Sequence, residues 1–338
     1  MPQNDTTVNN YTAGGVSIRM QNDSPAWAAS LASYLSLTPG DGPQNTPTVN
    51  LFFNETGSEK LDRLIPLPGE QDLTFEGSLL VNHPVPYRIF AKGKQRWIDY
   101  IGFGRTWIDP LNNRAQSACL KECGISSIYT NIVLAYNPLI ILLSQHGYHS
   151  VHASCVQLGG KGILFTGVSG SGKSTAAYAL LRRGHPILAD DRVLLQNADS
   201  CRALSISDVI KLSQEAQQTF FPELDRVKPL HYVDQELYYK VTSIDHLPYL
   251  NSTQVNYLFI FERTGTKNSR LEKVNPSRVV GDLFPVTMCD FEPAALTNKF
   301  TFLMDFLENV ECYRVHFGTD MDHFACLIED LVLRKDGW

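Results

Sequence analysis

The sequence predicts an α/β protein of two domains, a smaller β-rich α+β domain over residues 1–145 and a larger α/β domain over 146–338. Three observations lead there. A length of 338 residues exceeds one ordinary domain. Short alternating apolar segments at 49–53, 79–81, 87–91 and 96–101 read as strands filling the first half. In the second half an apolar segment, 162–166, runs into a glycine-rich loop and then into strong helix formers.

The first ten or so residues are polar and are expected to be disordered. A strand is expected at 16–20 after Gly14-Gly15. A helix follows from Pro25 to Leu35, with Ser24 as its cap. Residues 38–46 (TPGDGPQNT) read as a loop. A helix over 126–145, kinked at Pro138, ends near Gly147 and leads into the second half. There the reading is a strand at 148–156, a glycine turn at 158–161, a strand at 162–166 and a helix at 174–183. Short strands at 187–189 and 193–195 follow. Later come a strand at 255–261, helices at 276–283 and 293–308, a strand at 312–317 and a helix at 321–333.

Composition excludes several classes of function. A net charge of −6 and pI near 5.8 argue against a broad nucleic-acid or anionic-membrane surface. The most apolar stretch, 128–143, is interrupted by Tyr129, Asn131, Asn137 and Pro138 and does not read as a membrane span. The N-terminus lacks the basic start and apolar core of a signal peptide. Seven scattered cysteines include one close pair, Cys119 and Cys123, with no His or Cys cluster to complete a zinc pattern. The expectation is a cytoplasmic protein with reduced thiols and neither nucleic acid nor membrane as a partner.

Gly167-Val-Ser-Gly-Ser-Gly172-Lys173-Ser174 matches the Walker A phosphate loop at every fixed position. Glycines let successive N–H groups turn inward toward phosphate oxygens. Lys173 adds a point charge, Ser174 offers a hydroxyl to Mg²⁺, and the helix that follows aims its positive end at the anion. With Gly at about 7% of residues, the fixed positions coincide by chance in roughly one such chain per hundred. The strand before and the helix after make chance the weaker reading. Gly167, Ser169, Gly170, Ser171, Gly172, Lys173, Ser174 and Thr175 are therefore the expected contacts of ATP, or another nucleoside triphosphate, bound with Mg²⁺.

Asp190-Asp191 ends the apolar run 187–189. Carboxylates at the end of a core strand beside a phosphate loop are placed to hold Mg²⁺ or accept a proton. Adjacent side chains can point to opposite sides of extended backbone, so the two can divide these tasks. A surface acidic turn is the ordinary alternative, and the loop tips the balance. His152 taken alone is more often structural.

The stretch from His152 to Val193, HASCVQLGGKGILFTGVSGSGKSTAAYALLRRGHPILADDRV, resembles the core of the HPr kinase/phosphorylase C-terminal domain. It presents a histidine strand, a glycine turn, the phosphate loop, Arg183-Gly184-His185, and Ala189-Asp190-Asp191-Arg192-Val193. The resemblance implies the fold shared by HPr kinases and phosphoenolpyruvate carboxykinases. It also implies Mg²⁺-dependent transfer of a nucleotide's terminal phosphoryl group to a serine hydroxyl. Lys173 and the loop amides would bind phosphates, and Ser174 with Asp191 the metal. One of the two aspartates, Asp190 by preference, would be the base, with His152 beside it tuning its charge. The relatives' rings make a homo-oligomer an open reading. So is acceptor recognition by the N-terminal domain.

Two departures matter. Bacterial HPr kinases carry Glu directly after the loop serine, where this chain has Thr175, so metal binding would use a hydroxyl instead. Their later glycine- and arginine-rich stretch has no counterpart, residues 284–292 (FPVTMCDFE) occupying its place. The acceptor is therefore expected to be a peptide or small protein other than HPr. The chain looks more like divergent HPr-kinase-related proteins, some of which phosphorylate ribosomally made peptides, including the C-terminal serine of lasso-peptide precursors. A small-molecule kinase and a nucleotide-dependent binding module are the rival readings. Lys240, Arg263 and Arg192 read as surface charges, Trp97 and Trp107 as core, and His316 and His323 show no partner pattern.

Overall fold

The computed structural model describes residues 6–40, 46–79, 84–123, 127–197, 201–244, 246–283 and 293–333. It divides into two units, Met1–His146 and Gly147–Trp338.

In the first unit, Gly14 (φ 57°) and Gly15 (φ 91°) adopt left-handed backbone and close a two-residue turn. The turn pairs β1 (Thr7–Ala13) with β2 (Val16–Asn22), Thr7 opposite Asn22. The disorder expected of residues 7–10 is thus corrected: pairing with β2 satisfies backbone groups that side-chain polarity says nothing about. Ser24 caps α1 (Pro25–Tyr34), its Oγ accepting the Trp27 N–H at 3.3 Å. After a two-residue strand, β3 (Thr38–Pro39), come β4 (Thr48–Thr56), α2 (Ser58–Leu64), β5 (Leu73–Leu79), β6 (Val85–Lys92), β7 (Gln95–Tyr100), β8 (Gly104–Asp109) and β9 (Arg114–Leu120). All nine strands form one sheet in the order β3-β1-β2-β4-β9-β8-β7-β6-β5, with β2, β4 and β9 mutually parallel.

The helix expected over 126–145 is α3 (Ser127–Asn131), a π turn at Ile132–Tyr136, and α4 (Asn137–Ser144). The irregularity precedes Pro138 because that residue has no N–H for the preceding turn, and a widened turn absorbs the mismatch. Trp97 and Trp107 pack around Leu61 and Ile65, in keeping with the core reading.

In the second unit the turn at Gly159 (φ 54°) and Gly160 (φ 79°) joins β11 (Ser154–Leu158) to β12 (Lys161–Thr166). The single strand expected at 148–156 is broken at His152-Ala153, and its first part, β10 (Tyr148–Val151), pairs elsewhere. Then follow α5 (Lys173–Arg182), β13 (Ile187–Ala189), β14 (Val193–Asn197), β15 (Cys201–Leu204), β16 (Val209–Ser213), α6 (Gln214–Phe220), β17 (His231–Val233) and β18 (Glu236–Lys240). The chain closes with β19 (Ser252–Arg263), β20 (Arg270–Lys273), α7 (Pro276–Leu283), α8 (Pro293–Glu308), β21 (Glu311–Phe317) and α9 (Met321–Leu333).

The principal sheet runs β10-β14-β15-β19-β12-β11-β13, with β21 and β20 continuing from β19. Strand β12 is parallel to β19 and antiparallel to β11, so the loop leaves a mixed sheet rather than an all-parallel one. Alternation along β12 feeds two cores: Ile163 and Phe165 join α5 and α9, while Leu164 joins α7 and α8. Burial on both faces is why 162–166 reads as a continuous apolar run. A separate three-stranded sheet, β16-β18-β17, packs on the α5 side through Ile210, Leu212 and Tyr239.

Candidate active site

The loop between β12 and α5 is shaped by glycines that nothing else can replace. Gly167 (φ 141°) would bring a Cβ to 2.9 Å from the Phe261 carbonyl, and Gly172 (φ 104°) to 2.5 Å from the Phe317 ring. Gly170 has φ 76°. These left-handed positions curl the chain so that α5 begins at Lys173 with its unpaired N–H groups facing the loop's concavity. Lys173 is 6% exposed, and its Nζ donates to the Gly167 and Val168 carbonyls at 2.8 and 3.0 Å. Burial lowers its pKa against the pull of Asp190 and Asp191.

The two aspartates diverge sharply. Arg192 N–H donates to the Asp190 carbonyl at 2.8 Å, closing a three-residue turn on Asp191, whose φ is 68°. This is the rarer, strained hand of the γ-turn. It turns Asp190 inward and leaves Asp191 lining the cavity. Asp190, 6% exposed, accepts the Ser174 hydroxyl at 2.9 Å and the Ser154 hydroxyl on Oδ1, and the Lys211 N–H at 2.9 Å on Oδ2. Burial raises its pKa despite these donors.

Asp191 stands 3.3 Å from His152 Nδ1, 4.0 Å from Lys211 Nζ and 3.9 Å from Arg192 Nε. His152 was expected beside Asp190; the left-handed turn puts it beside Asp191 instead. Burial pushes the Asp191 carboxyl up, but the surrounding charges outweigh it and hold the group below the usual carboxylate range. Burial also lowers the His152 pKa, more than Asp191 raises it. His152, then Lys211, Arg192 and Lys173, are the groups whose charge holds the Asp191 carboxyl down.

A cavity of about 150 Å³ joins these groups. His152, Ser169, Gly170, Gly172, Lys173, Ser174, Thr175 and Asp191 all line it, so the structure gathers most of the expected site residues in one place. Gly167, Ser171 and Asp190 lie just behind that wall. Arg263 also lines it, whereas Lys240 turns away to Asp208 at 3.8 Å. The partners that His316 was expected to lack are Glu262 at 3.7 Å and Glu272 at 3.5 Å. Arg183 and His185 bind Glu329 of α9 at 2.7 and 2.8 Å, which anchors the far end of α5.

Lys211 and Glu236 escaped the sequence reading. Lys211 sits between buried Ile210 and Leu212, and β16 and β18 bring it and Glu236 to the cavity. A lone cation inside a short apolar strand was the available signal.

The donor set suits a triphosphate with Mg²⁺. The Ser171 Oγ is buried and has no hydrogen-bond partner, and Lys173 Nζ keeps a third N–H beyond its two carbonyl contacts. A phosphate oxygen in the cavity that Lys173 lines is an acceptor its ammonium can reach. Among the described residues there is no cluster of three or more His, Cys, Asp or Glu that would cage a metal. That fits Mg²⁺, which takes one or two protein ligands and completes its shell with phosphates and water. Ser174, with Asp190 behind it, would stand on the metal side.

Residues 144–215 match the HPr Serine kinase C-terminal domain family. An HPr kinase/phosphorylase of Lactobacillus delbrueckii subsp. bulgaricus is 27% identical over 165 residues, 44% of this chain and 52% of that protein. One from Levilactobacillus brevis is 37% identical over 98 residues, 28% of this chain and 31% of that protein. The chain thus spans about half the length, or less, of these curated relatives. The solved structure of the Hpr(Ser) kinase/phosphatase from Coxiella burnetii aligns at 15% identity, covering 56% of this chain and 99% of that one, with TM-score 0.32. Among the described residues no helix is long and apolar enough to cross a membrane. The segment that carries the phosphate loop and the aspartate pair thus lies within the stretch that matches the HPr Serine kinase C-terminal domain family.

Proposed function

We propose that the chain is a Mg²⁺-dependent kinase that transfers the γ-phosphoryl group of ATP to a serine hydroxyl of a peptide or small protein. The observation that carries this reading is the division of labour between the aspartates. Asp190 is sealed against Ser154, Ser174 and the Lys211 amide, while Asp191 faces the cavity beside His152, Lys211 and Arg192.

In this proposal the loop amides, Lys173 and the N-terminus of α5 hold the phosphates. Ser174, oriented by Asp190, stands on the Mg²⁺ side, where the ion would neutralise charge on the transferring group. Asp191 takes the proton of the acceptor hydroxyl as its oxygen bonds to the γ-phosphorus and the bond to the nucleotide's leaving oxygen breaks. The sequence preference for Asp190 as base and Asp191 as ligand is thus exchanged. His152 Nδ1–H steadies the Asp191 carboxylate, and Lys211 keeps it ionised.

Thr175 lines the cavity and offers a hydroxyl where bacterial HPr kinases carry a carboxylate; an acceptor other than HPr rests on the missing glycine- and arginine-rich stretch. A ribosomally made precursor peptide of the lasso type is the acceptor class to try first. The corresponding stretch 284–292 lies outside the described residues. A cytoplasmic site of action and acceptor recognition by the first unit are parts of the same proposal.

The test is incubation with labelled ATP, Mg²⁺ and peptides encoded beside the gene, with nucleotide affinity measured in parallel. Label on a peptide serine that disappears with Asp191→Asn supports the reading. Tight nucleotide binding without transfer to any peptide sinks the peptide-kinase proposal and favours a binding module. Label on a metabolite alone favours a small-molecule kinase.

A further inference from the structure

The first unit carries a pair of thiols that the phosphoryl-transfer reading does not use. Cys119 ends β9, fixed in register opposite Glu55 on one side and Gly104 on the other. Cys123 follows a short turn in which its N–H donates to the Leu120 carbonyl at 3.3 Å. The turn brings the two Sγ atoms to 3.9 Å, with Cys119 buried and Cys123 half-buried. Both thiols line a cavity of about 310 Å³ together with Trp27, Glu55, Lys121 and Thr130. Of the other described cysteines, Cys155, Cys201 and Cys312 are buried in the second unit, and Cys326 is exposed there.

We infer that Cys119 and Cys123 form a dithiol modification site that closes to an intramolecular disulfide by exchange with a low-molecular-weight disulfide. Three features carry this. The sulfurs are already in contact, so closure needs under 2 Å of approach to reach a bonded distance of about 2 Å. One partner is held by strand register while the other sits on a turn and can swing. Both thiols line the cavity, and Cys123 is the more exposed of the two. A metal occupant is disfavoured, since no third His, Cys, Asp or Glu completes a cluster among the described residues.

The chemistry balances. The Cys123 thiolate attacks one sulfur of the incoming disulfide and expels the other half as a thiolate, leaving a mixed disulfide. Cys119 then gives up its proton and attacks the Cys123 sulfur, releasing the second half. Two protein thiols are oxidised and one small disulfide is reduced to two thiols. Burial and then the adjacent Cys123 push the Cys119 thiol up, so Cys123 is the entry point and Cys119 the resolving group.

The test uses the full chain equilibrated in buffers of reduced and oxidised glutathione, quenched, alkylated and digested with trypsin. Lys121 lies between the two cysteines, so cleavage there separates them unless a disulfide holds the peptides together. The expected result is a linked pair, 115–121 with the peptide that starts at Glu122, whose yield rises with oxidised glutathione and reverses on reduction. Fluorescence of Trp27, which lines the same cavity, should fall in step. In Cys123→Ser the linked pair vanishes and Cys119 stays unmodified, while exposed Cys326 still takes up glutathione as an internal control. Separate glutathione adducts on Cys119 and Cys123 without a linked pair overturn the inference. So does failure of both to react while Cys326 does.

Discussion

Exchanging one carboxylate oxygen for an amide at each aspartate separates their tasks. Asn is among the residues that accept left-handed backbone, so Asp191→Asn keeps the turn at φ 68°. Its ion pairs are long and partly solvated, at 3.9 and 4.0 Å, and exposed pairs of this kind contribute about 0–1 kcal/mol. Melting should therefore barely move. Loss of a general base slows transfer by about 10²–10⁴-fold, or about 3–5 kcal/mol on the barrier. Nucleotide affinity should hold or tighten, because a negative charge leaves the phosphate side.

Asp190→Asn should behave in the opposite order. Asp190 accepts three hydrogen bonds from Ser154, Ser174 and the Lys211 amide, and an amide NH₂ in its place sets a donor against a donor. That costs about 1–3 kcal/mol of stability and loosens Ser174. The assay is kcat, nucleotide Kd with and without Mg²⁺, and melting temperature on both variants. The reasoning is refuted if Asp191→Asn retains kcat within about threefold while a well-folded Asp190→Asn loses it with nucleotide affinity unchanged.

Other consequences can be checked separately. Gly172→Ala would place a Cβ 2.5 Å from the Phe317 ring at a φ of 104°, so isothermal titration should show nucleotide binding lost, with a lower melting temperature. Removing Lys211 as Lys211→Met takes a cation from Asp191, so its pKa rises and the acid limb of the kcat–pH profile moves to higher pH. His152 titrates lower folded than unfolded, so the unfolded chain binds the proton first. Stability should decline as pH falls through the unfolded value of about 6.5, and His152→Gln should flatten that decline in a melting-temperature series. Glu329→Gln breaks the contacts to Arg183 and His185 far from the cavity, and chemical denaturation should report about 1 kcal/mol or less with kcat unchanged.

Local chemistry made much of this chain legible without coordinates. The phosphate loop is readable because each fixed residue answers a requirement of a few neighbouring atoms: positive φ at the glycines, an ammonium, a hydroxyl. The cap at Ser24 and the turn at Gly159-Gly160 are likewise local. What polarity misjudged was β1, whose stability comes from partner backbone rather than from its own side chains. The strands of the small sheet, β16 to β18, were not read from the sequence.

The division between Asp190 and Asp191 belongs to the tertiary structure alone. Side by side in sequence they are chemically equal. They become different because a strained turn sends one side chain among buried hydroxyls and the other into a cavity with His152 and Lys211. Lys211 arrives from a strand twenty residues further along, and no spacing rule foretells that meeting. Sequence thus determined that this chain carries a phosphate-loop pattern and where it lies, since that needs only contiguous residues. Which carboxylate faces the cavity was decided by distant strands and one left-handed residue, because electrostatic environment is a property of neighbours in space.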